Sequence, residues 1–214
     1  MPYNTRLAIP IVVVAIVSII AIASYYSYTM MLQYYSQPSM MMGEEQGQLT
    51  IDDSLKAAHD YIEYTGVSGL AVAEIMEFSN HFYVDVYEED TGIHAFEIII
   101  EKDGDVYPEH GPNMMWNTKY GHHGGGLMGT SPESAQMPIN EVDSITYAQN
   151  YLDEYMLGAE ATEPHRFYGY YTLHVEKDGN IIGMLSVDGF SGDVWYHNWH
   201  GDFVQILELE HHEE

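Results

Sequence analysis

Cysteine is absent from the 214 residues. That excludes disulfides, thiolate metal ligands and cysteine nucleophiles, and it leaves the redox compartment open. Positive charge is nearly as scarce: six Lys and Arg stand against 33 Asp and Glu, a formal net charge of −27. A surface that negative repels phosphate backbones and anionic headgroups, which excludes nucleic acid as a partner. It attracts cations and basic partners, or serves solubility and tolerance of high salt. Enzyme motifs are missing too: no G-x-S-x-G, H-E-x-x-H, P-loop or G-x-G-x-x-G occurs. Gly189-Phe190-Ser191-Gly192 reads as a turn. Asp103-Gly104-Asp105 opens like a calcium loop, but its twelfth position is Met114 where a glutamate is needed. The expectation is a protein with no catalytic residues and no required cofactor.

Acid is missing from the first 43 residues, where Arg6 is the one ionic side chain. Within them Leu7 to Ser24 is a charge-free apolar run. Continued to Tyr28 it would reach roughly 33 Å as a helix, enough for a ~30 Å hydrocarbon core. Pro10 falls near its start, where a missing N–H costs least. Tyr3 at one end, and Tyr25, Tyr26 and Tyr28 at the other, occupy interfacial positions. Arg6 favours a cytoplasmic N-terminus. Two readings stay open, a retained single-pass anchor or a signal peptide cut near Ala21-Ile22-Ala23. Both put the remainder outside the cytoplasm.

Residues 29–48, rich in Met, Gln, Tyr and Ser, read as a stalk. Residues 119–139, with Gly124-Gly125-Gly126 and Pro132, read as a Gly/Met/His-rich linker. On either side lies a repeat. Asp53-Ser54-Leu55, Ala58, Tyr61 and Ile62 match Asp143-Ser144-Ile145, Ala148, Tyr151 and Leu152. Their apolar spacing is one face of a helix. Thr50 with Asp53, and Asn140 with Asp143, stand in cap and N3 positions. Strands follow with period-2 patterning: Phe82, Val84 and Val86; Phe96, Ile98 and Ile100; Tyr171, Leu173 and Val175. Thr91-Gly92, Asp103-Gly104, Asp178-Gly179 and Ser191-Gly192 supply hairpin turns. The expected fold is α+β: an N-terminal transmembrane helix (1–28) and stalk, then two modules, 49–118 and 140–202. Each module is a helix packed on a small antiparallel sheet. An acidic tail, 203–214, begins with a run ambiguous between strand and helix.

Val187-Asp188-Gly189-Phe190-Ser191-Gly192-Asp193-Val194 fits a closing strand of the form V-D-x-x-[ST]-G-x-V, and Glu101 to Val106 fits it in shortened form. With the capped helix and twisted strands, residues 49–110 and 140–200 resemble PepSY-like domains. The resemblance implies extracytoplasmic modules, tethered to membranes or fused to protease propeptides, that restrain peptidases or bind partners. It implies nothing about Gly111 to Tyr120, which lie outside the family's pattern.

Twelve His and thirteen Met in a chain without Cys make metal binding the sharper chemical expectation. His110, Met114, Met115, His122, His123 and Met128 cluster beside the glycine run. Imidazole with thioether suits Cu(I), and imidazole alone suits Cu(II), Zn or Ni. The competing view is that these methionines only fill gaps. On a strand, His197 and His200 would face opposite ways and could not chelate together; only a turn or helix would join them. They read instead as polar neighbours of Trp195, Tyr196 and Trp199. Trp116 and Asn117 mirror Trp195 to Asn198, and with His197, Trp199 and His200 they make a candidate inter-module or partner surface. His211-His212 reads as solvated. Two function classes therefore stand: a non-catalytic, membrane-tethered interaction or regulatory protein, such as an accessory subunit of a membrane complex with a protein partner, and an extracytoplasmic protein binding copper or another transition metal. A hydrolase is a weaker third.

Overall fold

Thr50 starts the first helix by a reciprocal cap. Its hydroxyl accepts the Asp53 N–H at 3.2 Å while the Asp53 carboxylate accepts the Thr50 N–H at 3.0 Å. Helix α1 (Ile51–Thr65) then buries Ser54, Ala58 and Ile62 on one face and stops at Gly66, whose φ of 69° is left-handed. Four strands follow: β1 (Leu70–Phe78), β2 (His81–Glu88), β3 (His94–Glu101) and β4 (Val106–Pro108). After a single-turn helix α2 (Pro112–Met115), the pattern recurs: α3 (Glu141–Tyr155), then β5 (Glu160–Arg166), β6 (Tyr170–Lys177), β7 (Asn180–Asp188) and β8 (Val194–Tyr196). Asn140 caps α3 by accepting the Asp143 N–H at 3.0 Å, and Ser144, Ala148 and Leu152 repeat the buried face of α1. The computed structural model describes residues 49–121 and 137–209, all within one compact unit, Gln48–Glu214.

Both sheets are antiparallel, in the orders β4-β3-β2-β1-β9 and β5-β6-β7-β8. Period-2 alternation divides each strand between two environments. Phe82, Val84, Val86, Phe96, Ile98 and Ile100 pack under α1 with Val72 and Ile75. Tyr171, Leu173, Val175, Leu185 and Val187 pack under α3. Each such side chain, fully buried, contributes roughly 1.5–3 kcal/mol. The opposite faces are buried as well, because the sheets meet there. Met76, Phe78, Tyr83 and Met184 form a small apolar cluster in the seam, and most of the rest of the seam is polar.

Two features depart from the expected boundaries. Residues 203–208, assigned to a tail, form strand β9 (Phe203–Glu208), which crosses back to pair with β1 through Ile75↔Leu207 and Met76↔Ile206. Its apolar residues explain it: Phe203 and Ile206 fill half-buried places in the seam, and Leu207 fills one in the core under α1. Lys119 and Tyr120, assigned to the linker, belong to the first module, where both hydrogen-bond Glu88. The apolar run Leu7–Ser24 lies outside the described residues; among the described residues no helix is long and apolar enough to cross a membrane.

Candidate metal centre

The seam sets acids of the first module against imidazoles of the second. Glu74, Asp85, Glu97 and Glu109 are all buried, as are His174 and His197. They form two clusters, and the spacing of their atoms tells them apart.

Glu109 directly follows β4, held by its N–H to the Glu97 carbonyl at 2.9 Å. His197 directly follows β8, held by its N–H to the Met184 carbonyl at 3.0 Å. The two positions are equivalent in the repeat. Strand β8 ends at Tyr196, so residues 197–200 make a turn that brings His200 round beside His197, their ring centres 5.4 Å apart. His200 Nε2 lies 3.3 Å, and His197 Nδ1 3.7 Å, from Glu109 Oε1. A tetrahedral ion with bonds of ~2.0–2.1 Å places its ligand atoms roughly 3.3 Å apart, so this spacing fits an ion between them. Glu109 Oε2, His197 Nδ1 and His200 Nε2 are all buried and have no hydrogen-bond partner among the described residues. Each such atom costs about 1–3 kcal/mol.

The far side of each ring is engaged. His197 Nε2 meets the Ser186 hydroxyl at 2.9 Å, and His200 Nδ1 meets His81 Nε2 at 2.7 Å. Outer contacts of this kind orient metal-binding imidazoles and fix their tautomers. Here they leave Nδ1 of one ring and Nε2 of the other facing the carboxylate. Phe78 stacks on His200 at 4.3 Å with 4° between planes, and the Trp199 indole N–H donates to Glu109 Oε1 at 3.0 Å. Burial drives His197 well below the usual imidazole range and His200 down to about 3, so both are neutral. Burial also raises Glu109 to about 8, outweighing the indole hydrogen bond. Two neutral imidazoles and one carboxyl group are what a divalent transition ion takes up.

The second cluster is built differently. Asp85 accepts hydrogen bonds from His94 Nδ1 and His165 Nδ1, each at 2.8 Å, and the two rings stack at 4.5 Å. Such distances belong to charge-assisted hydrogen bonds and are short for ligands sharing an ion. Burial pushes Asp85 upward, but His94 and His165 together hold it well below the carboxylate range. For His165 burial acts downward, and the bond and charge of Asp85 overcome it, raising the imidazole to about 9. A break in register between Thr162 and His165, with Glu163 at a φ of 49°, turns His165 inward. His174 bridges Glu74 at 3.2 Å and Glu163 at 3.1 Å. Burial lowers its affinity for the proton, but Glu74 raises it further. This end is an ion-pair cluster. Between the clusters Glu97 accepts Tyr83 and Tyr170 hydroxyls at 2.9 and 2.8 Å and the Thr172 hydroxyl at 2.7 Å. Burial, with Glu109 nearby, pushes its carboxyl well above the ordinary range.

Of the residues expected to bind metal, His110 is exposed with its ring 4.5 Å from Trp199, Met114 is half-buried and Met115 is exposed. His122, His123 and Met128 lie outside the described residues. Among the surface candidates, Trp116 meets Trp195 edge-on at 5.8 Å, joining the modules at one corner. Asn117 is buried and donates to the Ala95 carbonyl at 2.7 Å. Sequence reasoning missed Glu109 as a candidate ligand. Aligning Gly104-Asp105-Val106 on Gly192-Asp193-Val194 sets Glu109 opposite His197, and that signal was available.

No family model matches the chain, and no curated protein matches it. Among solved structures it is similar to the Bacillus megaterium YpeB C-terminal domain, at 9% identity over 72% of this chain and 63% of that one, with a TM-score of 0.27. The chain thus spans less than two thirds of that domain's length. What fold and site define by themselves is a two-sheet α+β protein with a buried His–carboxylate centre between its halves.

Proposed function

We propose that this is a non-catalytic, extracytoplasmic metal-binding protein, held at the membrane by its N-terminal segment, in which Glu109, His197 and His200 take a divalent transition-metal ion. One observation carries the reading: two buried imidazole nitrogens without hydrogen-bond partners, His197 Nδ1 and His200 Nε2, converge at 3.7 and 3.3 Å on Oε1 of a buried carboxylate whose other oxygen is also unpartnered. The donor set of two nitrogens and a carboxylate suits Zn, Cu(II), Ni or Fe(II) better than Cu(I), which prefers thioethers. The non-catalytic part rests on enclosure: the three ligand side chains are between 0% and 1% exposed, whereas a three-ligand catalytic site keeps its fourth position open to water and substrate. The extracytoplasmic placement and the tether rest on the apolar N-terminal run and the resemblance to PepSY-like modules, which also supports a protein partner.

The test is calorimetry and elemental analysis of the purified full chain with Zn(II), Cu(II), Ni(II) and Cu(I). One divalent ion per chain at sub-micromolar affinity is expected, weakened by about a hundredfold or more in Glu109→Gln, on the scale of losing a ligand. Substitution of His110, Met114, Met115, His122, His123 and Met128 together should leave that affinity unchanged. Loss of binding in this second variant with retention in Glu109→Gln would move the site to the linker. No stoichiometric binding by the wild type would end the metal reading altogether.

A further inference from the structure

Strand β9 lies immediately beyond the two candidate imidazole ligands, at the open edge of the first sheet. It is an edge strand, paired on one side only, to β1. Val204 is 54% exposed, and Phe203, Ile206 and Leu207 are only half-buried. The connection before it is fastened to the β1–β2 hairpin by bonds open to water: Gly201 N–H to Asn80 Oδ1 at 2.8 Å, Asp202 N–H to Ser79 Oγ at 3.0 Å, and Asn80 Nδ2 to the Trp199 carbonyl at 2.9 Å. Phe78 of β1 links the two ends of this segment. His200 stacks on one face of its ring, and Phe203 meets the ring edge-on at 6.2 Å.

We infer that metal occupancy controls the docking of β9 on β1. The inference rests on the metal reading. Without an ion, keeping residues 198–209 in place buries the His200 Nε2 that lacks a partner, and releasing the segment returns it to water. With an ion, His200 Nε2 ties the segment to Glu109 while His197 stays fastened to β7, so a release of β9 that carries His200 with it requires loss of one of three ligands. The ion therefore stabilises the docked state against the released one by the difference in its binding free energy to the two. Release bares the outer edge of β1, a row of backbone groups of the kind that accepts an added strand.

Hydrogen exchange read by mass spectrometry, on the full chain with Zn(II) and after chelation, tests this. Amides of residues 203–208 should exchange more slowly with zinc, by about a hundredfold at a zinc concentration one hundred times the dissociation constant, while α1 and α3 change little. In Glu109→Gln the zinc effect on β9 should vanish, with slow exchange in α1 reporting that the variant is folded. If that variant does not fold, the wild-type comparison decides alone. Stoichiometric zinc with unchanged β9 exchange, or uniform slowing of every element, overturns the β9 device and leaves the metal reading standing. Absence of bound zinc overturns both.

Discussion

His165 illustrates how one seam residue links charge to stability. Its imidazole, about one-fifth exposed, rises from 6.5 to about 9 in the folded protein because the pull of Asp85 overcomes desolvation. A group whose folded pKa is raised contributes fully below its unfolded pKa, and the contribution is lost as pH rises through the folded value. The stabilisation should therefore be complete below about pH 6.5 and decay up to about pH 9, a change on the order of 2–3 kcal/mol. Urea unfolding of the wild type at pH 6 and pH 10, beside His165→Gln, measures it. The variant should be weaker at pH 6 and differ little from wild type at pH 10. A pH-independent gap between the two would remove the ion pair from the account. The individual histidines stood in the sequence, but their pairing did not: Asp85 and His165 are 80 positions apart, and no local pattern joins them.

At the scale of elements the sequence was far more legible, because the determinants are local. Cap, apolar stripe and turn glycine all lie within a few residues of one another, so both long helices and most hairpins were expected where they occur. The caps can be weighed directly. Thr50→Ala removes the hydroxyl that receives the Asp53 N–H, and Asn140→Ala removes the corresponding oxygen for Asp143. Each should cost about 1 kcal/mol, or roughly 2–4 °C in melting temperature for a unit of this size. Since the two caps share no partner, the double variant should lose about twice as much. Denaturant midpoints with unchanged slopes would establish this, and a double variant no weaker than either single one would refute it. Less legible was β9. Its Phe203-Val204-Gln205-Ile206-Leu207 run has no neighbouring partner, and its place was decided by the free edge of β1, more than 120 residues upstream. The His197–His200 turn was hidden for a related reason: continuing β8 past Tyr196 would have sent the two rings to opposite faces.

At the scale of the whole molecule, two modules expected as separate helix-on-sheet units are bound into one body. The outward faces of a lone module would carry Tyr83 and Glu97, or Tyr170, Thr172 and His174, all buried where the sheets meet. Glu97 draws its hydroxyl donors from both sheets, Tyr83 from β2 and Tyr170 and Thr172 from β6. Strand β9 completes the first sheet from the far end of the chain. Neither module can therefore unfold alone without stripping the other of its seam hydrogen bonds and baring the Met76, Phe78, Tyr83 and Met184 cluster to water. Unfolding should be a single transition, with calorimetric and van't Hoff enthalpies equal. Tyr170→Phe sharpens the test: it deletes one donor to a buried carboxyl and should cost about 1–3 kcal/mol. If the seam couples the modules, far-UV and near-UV melting curves of that variant will shift together by the same amount. Were the modules independent, the first would keep its wild-type melting temperature and the curve would split in two.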